Sequence, residues 1–222
     1  MIKNYRKTKI LATIGPSSEK IQKIESLVLS GVDAFRINCS HTNKIELENY
    51  VNSIRKVEKK LKKPIGILID LQGTKLRVGE IEGDSIILKK GQKVFLKNVL
   101  KSSNPEEIPL PEEKIFKSIK VNQPIFIDDG KIKLKVIKVS KNIIQARVIL
   151  DGILKSKKGI NLPETFLKSS ALTLSDRRNV RAGNKLGIDW IALSFIQSPQ
   201  DIIDLRKLCN KNISIMAKIE KP

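Results

Sequence analysis

The sequence predicts an α/β chain, a partial (β/α)8 TIM barrel of about five strands interrupted by an inserted all-β domain. Three observations carry that expectation. Residues 1–71 alternate short apolar runs with stretches of helical spacing, the pattern of a parallel sheet covered by helices. Between about 72 and 168 the pattern changes to short strands separated by Gly, Asn, Asp and Pro turns. From 169 to 222 the strand-helix alternation resumes.

The first element, KTKILATIG, is an apolar run ending at Gly15-Pro16 and reads as a buried parallel strand with a turn after it. A helix follows, for which Ser17 or Ser18 is the candidate cap, Ile21, Ile24, Leu27 and Val28 the apolar face, and Gly31 the stop. DAFRIN gives the second strand. From about Lys44, Leu47, Tyr50, Val51, Ile54, Val57 and Leu61 recur at helical spacing until Pro64. PIGILID is the third strand, apolar until Asp70.

The insert carries DSIILKK, QKVFLKN, QPIFIDD, KIKLKVIKV and NIIQARVIL, whose alternation and hairpin-length turns predict antiparallel strands around a small core, with no helix required. Beyond it, Ser175-Asp176 is expected to cap a helix that stops at Gly187, and WIALSF forms the fourth strand. Ser198-Pro199 opens the next helix, and SIMAKIE forms the fifth strand. A closed barrel needs eight strands and roughly 250 residues. The expectation is therefore a fragment, an open five-stranded sheet, or a barrel completed by another chain, with an exposed fifth strand as a pairing hazard.

Composition narrows the function classes. The 222 residues are 40% hydrophobic, enough for a sizeable core. No stretch approaches the roughly 18 apolar residues of a membrane span, and MIKNYRKTKI lacks the apolar core of a secretory signal, so no membrane partner and a cytoplasmic location are expected. Two cysteines, Cys39 and Cys209, without metal-type spacing, and a single histidine, His41, argue against a disulfide framework or a zinc site. The net charge of +20 favours anionic partners, yet the lysines are scattered and aromatic residues make up only 4%. That combination suits phosphorylated metabolites better than base stacking, so no nucleic-acid partner is expected.

The polar residues of interest fall where strands end, the carboxyl face that carries reactive groups in α/β barrels. Arg36, Asn38 and Ser40 alternate along the second strand and its exit, Asp70 closes the third, and Lys218 and Glu220 alternate on the fifth. An arginine, a lysine and two carboxylates on one rim describe a site for a phosphorylated anion with a divalent metal. FRINCSH at 35–41 resembles the arginine-bearing segment of the pyruvate kinase family. IDLQGTKLRVG at 69–79 is similar to that family's entry into its β lid domain, SKKGINLP at 156–163 to the exit from the lid, and MAKIE at 216–220 to its catalytic lysine segment. The resemblance spans the whole chain and implies barrel parts at 1–71 and 169–222 with an inserted all-β lid domain at 72–168.

The same resemblance implies roles. Arg36 matches the arginine that pairs with the phosphate of phosphoenolpyruvate, and Lys218 the catalytic lysine that offsets charge on the phosphoryl group in flight. Glu220 matches one of two carboxylates that hold Mg2+ (or Mn2+). Arg77 and Lys158 match contacts to the phosphates of ADP or ATP, His41 a residue near the adenine, and Asn38, Ser40, Asp70 and the Leu71 carbonyl the site of a monovalent cation, K+, with Asn38 also on the nucleotide side. Where potassium-dependent members carry Thr, Lys, Glu and Thr, this chain has Leu71, Gln72, Lys75 and Val78. The Lys75 ammonium would put a fixed positive charge where the ion sits, so the K+ site is expected to be a remnant that is not required.

The insert also contains Asp128-Asp129-Gly130, a candidate metal site for which a hairpin turn is the plainer reading. The resemblance places a second Mg2+ carboxylate, a substrate-binding threonine and a carboxy-terminal assembly domain beyond residue 222. This polypeptide is accordingly expected to be inactive or incomplete alone, with a homo-oligomer, a tetramer, expected of the full-length family. Half of a split enzyme and a non-enzymatic basic module for nucleotides or nucleic acid are the alternatives.

Overall fold

Short apolar strands that end in polar turns, each followed by an amphipathic helix, organise the two ends of the chain into one unit. The computed structural model describes residues 6–167 and 170–220. It divides into two compact units, residues 6–74 with Ser170–Glu220, and residues 75–167.

The first unit opens with β1 (Leu11–Thr13), α1 (Ile21–Leu29), β2 (Ala34–Asn38), α2 (Lys44–Leu61) and β3 (Gly66–Leu71). The buried strand expected over KTKILATIG is realised as a three-residue edge strand, with Ile10 and Leu11 exposed and Ile14 buried. Neither Ser17 nor Ser18 caps α1. Lys20 stands at its N-cap without a side-chain bond, and the Ser18 hydroxyl closes the preceding turn by accepting from the Gly15 N–H at 3.0 Å. In α2 the Asn43 side chain accepts from Glu46 N–H at 3.0 Å while the Glu46 carboxylate accepts from Asn43 N–H at 2.7 Å, a reciprocal cap. The helix ends at Lys62 in the left-handed conformation, before Pro64.

The second unit contains β4 (Glu80–Ile81), β5 (Ser85–Leu88), β6 (Lys93–Lys97), β7 (Lys101–Ser102), β8 (Glu107–Pro109), α3 (Glu113–Ser118), β9 (Pro124–Ile127), β10 (Ile132–Val139), β11 (Ile143–Leu150), β12 (Gly152–Lys155) and β13 (Ile160–Asn161). A six-stranded sheet in the order β13-β9-β10-β11-β6-β8 closes on Val94, Leu96, Ile125, Leu134, Ile144 and Ala146, and β12-β5 and β4-β7 form two small sheets. Two departures from the sequence reading occur. α3 is a helix where none was required, held because it buries Ile115 and Phe116, and β6–β8 and β4–β7 pair parallel among otherwise antiparallel strands.

Returning to the first unit, α4 (Leu174–Leu186), β14 (Trp190–Leu193), α5 (Pro199–Leu208) and β15 (Ser214–Ala217) complete it. The cap of α4 is Thr173 with Asp176 rather than Ser175-Asp176, because the Thr173 hydroxyl accepts from the Asp176 N–H at 3.1 Å and the Asp176 carboxylate binds back to Thr173 N–H at 2.9 Å. Ser198 and Pro199 open α5 as expected.

All five strands of this unit are parallel, in the order β1-β2-β3-β14-β15, an open sheet consistent with a partial barrel. Period-two alternation divides its faces. Phe35, Ile37, Ile67, Ile69, Leu71, Ile191 and Leu193 pack against Ile24 and Val28 of α1, Leu47, Val51 and Ile54 of α2, Val180 of α4 and Leu205 of α5. Arg36, Asn38 and Asp70 alternate with those apolar residues and face the other way. Among the described residues, no helix is long and apolar enough to cross a membrane.

Candidate active site

Asp70 is the hub of the polar face. It lies on β3, the middle strand, in register with Asn38 of β2 and Ala192 of β14, and is 4% exposed. A carboxylate so buried requires partners, and it has two cations. Arg36 donates Nε to Asp70 Oδ2 at 2.8 Å and places Nη2 2.6 Å from the same oxygen, while its Nη1 donates to Thr13 Oγ1 at 3.2 Å. Lys218 Nζ donates to Asp70 Oδ1 at 3.0 Å and to Ser194 Oγ at 2.8 Å, with Glu220 Oε1 at 3.6 Å. Ser194 Oγ in turn donates to the Leu71 carbonyl at 3.0 Å.

The donor count shows what remains for a ligand. A guanidinium has five N–H groups and an ammonium three. Arg36 uses three on Asp70 and Thr13, and its side chain stays 31% exposed, so the rest of its fork faces solvent. Lys218, equally exposed, lies within hydrogen-bond distance of both Asp70 oxygens, at 3.0 and 3.2 Å, and of Ser194 Oγ at 2.8 Å, so its three N–H groups are engaged, with Glu220 Oε1 further off at 3.6 Å. The pair is held by the buried carboxylate with spare donors on Arg36, the arrangement of a preorganised anion site.

Glu220 is positioned from its other oxygen, Oε2, which accepts from Phe195 N–H at 3.2 Å. Phe195 has φ 57°, a left-handed conformation that a bulky residue adopts at a cost of about 1–2 kcal/mol. The same turn is pressed from behind by Gly73, whose φ is +66° and where a Cβ would stand 2.7 Å from the Ser194 carbonyl oxygen. Glycine is required there on both counts.

The other candidates separate. Asn38 Oδ1 accepts from Ser40 N–H at 3.1 Å and the Asn38 carbonyl from His41 N–H at 3.1 Å, so Asn38, Ser40 and His41 share one tight turn with His41 exposed. Lys75, Arg77 and Lys158 belong to the second unit. There Val78 N–H bonds the Lys158 carbonyl at 2.9 Å and Ile160 N–H the Leu76 carbonyl at 3.0 Å, so the segments bearing Arg77 and Lys158 run side by side. Lys158 is engaged by Asp128 at 2.9 Å, and Arg77 Nη1 donates to the Lys157 carbonyl at 3.0 Å. Asp128-Asp129-Gly130 is a hairpin turn between β9 and β10 with all three residues at positive φ. Hydrogen bonds from Lys158 and then Lys131 hold the Asp128 carboxyl below the usual range, so two ammonium groups occupy the oxygens a metal would need.

Sequence reasoning missed Thr13, Ser194 and Phe195, and the reach of Asp176 beyond its helix. Ser194 carried the same signal as its neighbours, a polar residue ending an apolar strand. Asp176, completely buried, caps α4 and also accepts from Gln72 N–H at 3.0 Å, a contact 104 residues apart in sequence that no local pattern announces. Burial pushes the Cys39 thiol up to about 12, which disfavours the thiolate a nucleophile would need.

For the implied Mg2+, the described residues contain no group of three carboxylate, histidine or cysteine side chains able to cage a metal. Mg2+ sites of phosphoryl chemistry, however, combine one or two carboxylates with substrate oxygens, and Glu220, exposed at the rim beside Lys218, fits as one such ligand.

A parallel α/β sheet of barrel type, interrupted after its third strand by a β unit and carrying an arginine-lysine pair on a buried aspartate, defines the class of molecule. A family model described as "Pyruvate kinase, barrel domain" matches residues 5–222, and the chain belongs to the pyruvate kinase family. It is 41% identical over 221 residues to a pyruvate kinase of Methylorubrum extorquens, covering 100% of this chain and 46% of that protein. It is 40% identical over 222 residues to one of Agrobacterium vitis, covering 100% and 47%, and 36% identical over 226 residues to one of Buchnera aphidicola, with the same coverage. The chain thus spans about half the length of the curated relatives it matches.

Proposed function

We propose that this chain supplies the phosphoenolpyruvate-binding side of a pyruvate kinase, which transfers a phosphoryl group to ADP and releases pyruvate. The observation that carries the reading is the joint grip of Asp70 on Arg36 and Lys218, which holds two part-exposed cations, the arginine with donors to spare, at one point of the rim. Arg36 binds the substrate phosphate through its free N–H groups, and Lys218 offsets charge on the phosphoryl group as it moves. Asp70 and Ser194 are positioning residues that hold the Lys218 ammonium in place. Glu220 would hold Mg2+, which when bound supplies charge neutralisation at the phosphate. Arg77 and Lys158 are assigned to the nucleotide phosphates, and His41 and Asn38 to the nucleotide side.

The K+ site reads as a remnant. Of its oxygen donors, Asn38 Oδ1 and the Leu71 carbonyl already accept hydrogen bonds, and Asp70 carries two cations that repel a third. The test is calorimetric titration of the 222-residue chain with phosphoenolpyruvate and Mg2+, joined to a coupled assay of pyruvate formation with ADP, in sodium and in potassium. Arg36→Gln and Lys218→Met should each weaken binding about tenfold or more. Wild-type affinity in both variants would refute the assignment, and a many-fold gain on exchanging sodium for potassium would refute the remnant site.

A further inference from the structure

A second cationic feature lies away from the rim. α2 and α4 flank a cavity of about 660 Å3 on the helical side of the first unit, lined by Thr42 of the loop before α2, by Lys44 and Glu48 from the start of α2, and by Arg178, Arg181 and Lys185 along α4. The three α4 cations stand at i, i+3 and i+7, which places them on one helical face. Among the described residues, none of the three meets a carboxylate within 4 Å, although α4 has buried Asp176 at its own first turn. That aspartate is committed to Thr173 and Gln72. Lys44 has only a loose pairing with Glu48, at 3.9 Å. Four cations thus face one carboxylate around a concave space.

We propose that this cavity is a binding site for a small polyanion carrying two or more phosphate groups. Its volume suits a ligand of nucleotide or sugar-bisphosphate size. Two guanidinium forks and an ammonium along one helix face match phosphate oxygens spaced over a short chain, whereas the rim, with one arginine and one lysine on a shared aspartate, suits a single phosphate. A solvated basic helix face would meet water evenly and needs no concavity. Here the charges converge on a pocket whose far wall begins at Thr42, and the Thr42 hydroxyl donates to the Asn38 carbonyl at 2.9 Å. The loop that leaves the rim at Asn38 is therefore the loop that walls the cavity.

The probe is inorganic tripolyphosphate without metal, titrated calorimetrically into the full 222-residue chain carrying both Arg36→Gln and Lys218→Met, which removes the two rim cations. Arg181→Gln in that background should weaken binding about tenfold, and Arg178→Gln, Arg181→Gln and Lys185→Gln together should abolish it. A matched triple variant of exposed lysines in the second unit, Lys135→Gln, Lys138→Gln and Lys141→Gln, should leave it unchanged. Equal losses in the two triple variants, or no loss in Arg181→Gln, would overturn the proposal. So would a short DNA duplex that binds through the same residues and outcompetes tripolyphosphate, since that would make the face a nucleic-acid surface. Apart from the rim residues, all substituted side chains are exposed, and thermal unfolding unchanged from the rim-substituted parent identifies variants that remain folded.

Discussion

Replacing Asp70 by Asn keeps the shape of the hub and removes its charge. Arg36 Nη2 and Lys218 Nζ lie 2.6 Å and 3.2 Å from the same Asp70 oxygen, so the two cations stand no more than about 6 Å apart. At an effective dielectric constant of about 20, their repulsion is about 3 kcal/mol once the carboxylate is gone, and two stronger attractions disappear with it. Both cations keep 31% of their side chains in solvent and can swing apart, which lowers the net cost to about 2–3 kcal/mol, below that of breaking a fully buried pair. Urea unfolding followed by the fluorescence of Trp190, the single tryptophan, reads this unit directly because Trp190 begins β14. The variant should also gain more from added phosphate than the parent does, because an anion between Arg36 and Lys218 replaces the missing charge, worth about 2.7 kcal/mol at a hundredfold excess over its dissociation constant. Parental stability in Asp70→Asn, or equal stabilisation of both proteins by phosphate at matched ionic strength, would refute the hub.

Three further outcomes are expected. Gly73→Ala should destabilise by about 1–3 kcal/mol, since φ +66° and the Ser194 carbonyl 2.7 Å from the new Cβ both oppose it, and it should weaken phosphoenolpyruvate binding by displacing the Ser194–Phe195 turn; a neutral melting temperature would count against the close approach. Ile54→Ala, at a completely buried position of α2, should cost about 2–5 kcal/mol in the same urea assay, and a loss below 1 kcal/mol would mean that the helix does not pack as described. Cys39 is protonated in the folded state up to about 12 but loses its proton near 9 when unfolded, so the folded chain binds the proton more tightly and stability falls as pH rises through that window, by up to about 1.4 kcal/mol per unit. Cys39→Ala should flatten that alkaline decline, and an unchanged slope would assign it to other groups.

The parts of the fold that were legible are those whose signal is local. Leu47, Tyr50, Val51, Ile54 and Val57 repeat at helical spacing and all are buried in α2, and Ser198-Pro199 opens α5 because a capping hydroxyl and a fixed φ act within one turn. The misreadings have equally physical causes. Thr173 outcompeted Ser175 as a cap because Asp176 stands three residues beyond it and completes a reciprocal box. α3 spans only Glu113–Ser118, too short for a periodic pattern to show, and tertiary burial of Ile115 and Phe116 holds it. β1 was read as buried from its apolar residues, whereas its place at the sheet edge depends on strand order.

Strand order also explains why the site was only half visible. That Arg36, Asp70, Lys218 and Glu220 end strands follows from the sequence alone. That Asp70 governs the others does not, because it depends on β3 taking the centre of the order β1-β2-β3-β14-β15. From there Asp70 is in register with Asn38 on one side and Ala192 on the other, so Arg36, one pleat earlier on β2, reaches it laterally. Lys218 N–H bonds the Leu193 carbonyl at 3.0 Å, which sets the lysine just past the end of β15 and lets its long side chain cross β14 to the same carboxylate. An acidic residue on an outer strand would have met one cation at most. The central position of β3 gives one buried charge control of two cations from opposite sides, which is why Asp70→Asn, rather than removal of either cation, is the substitution that most directly tests how this rim is built.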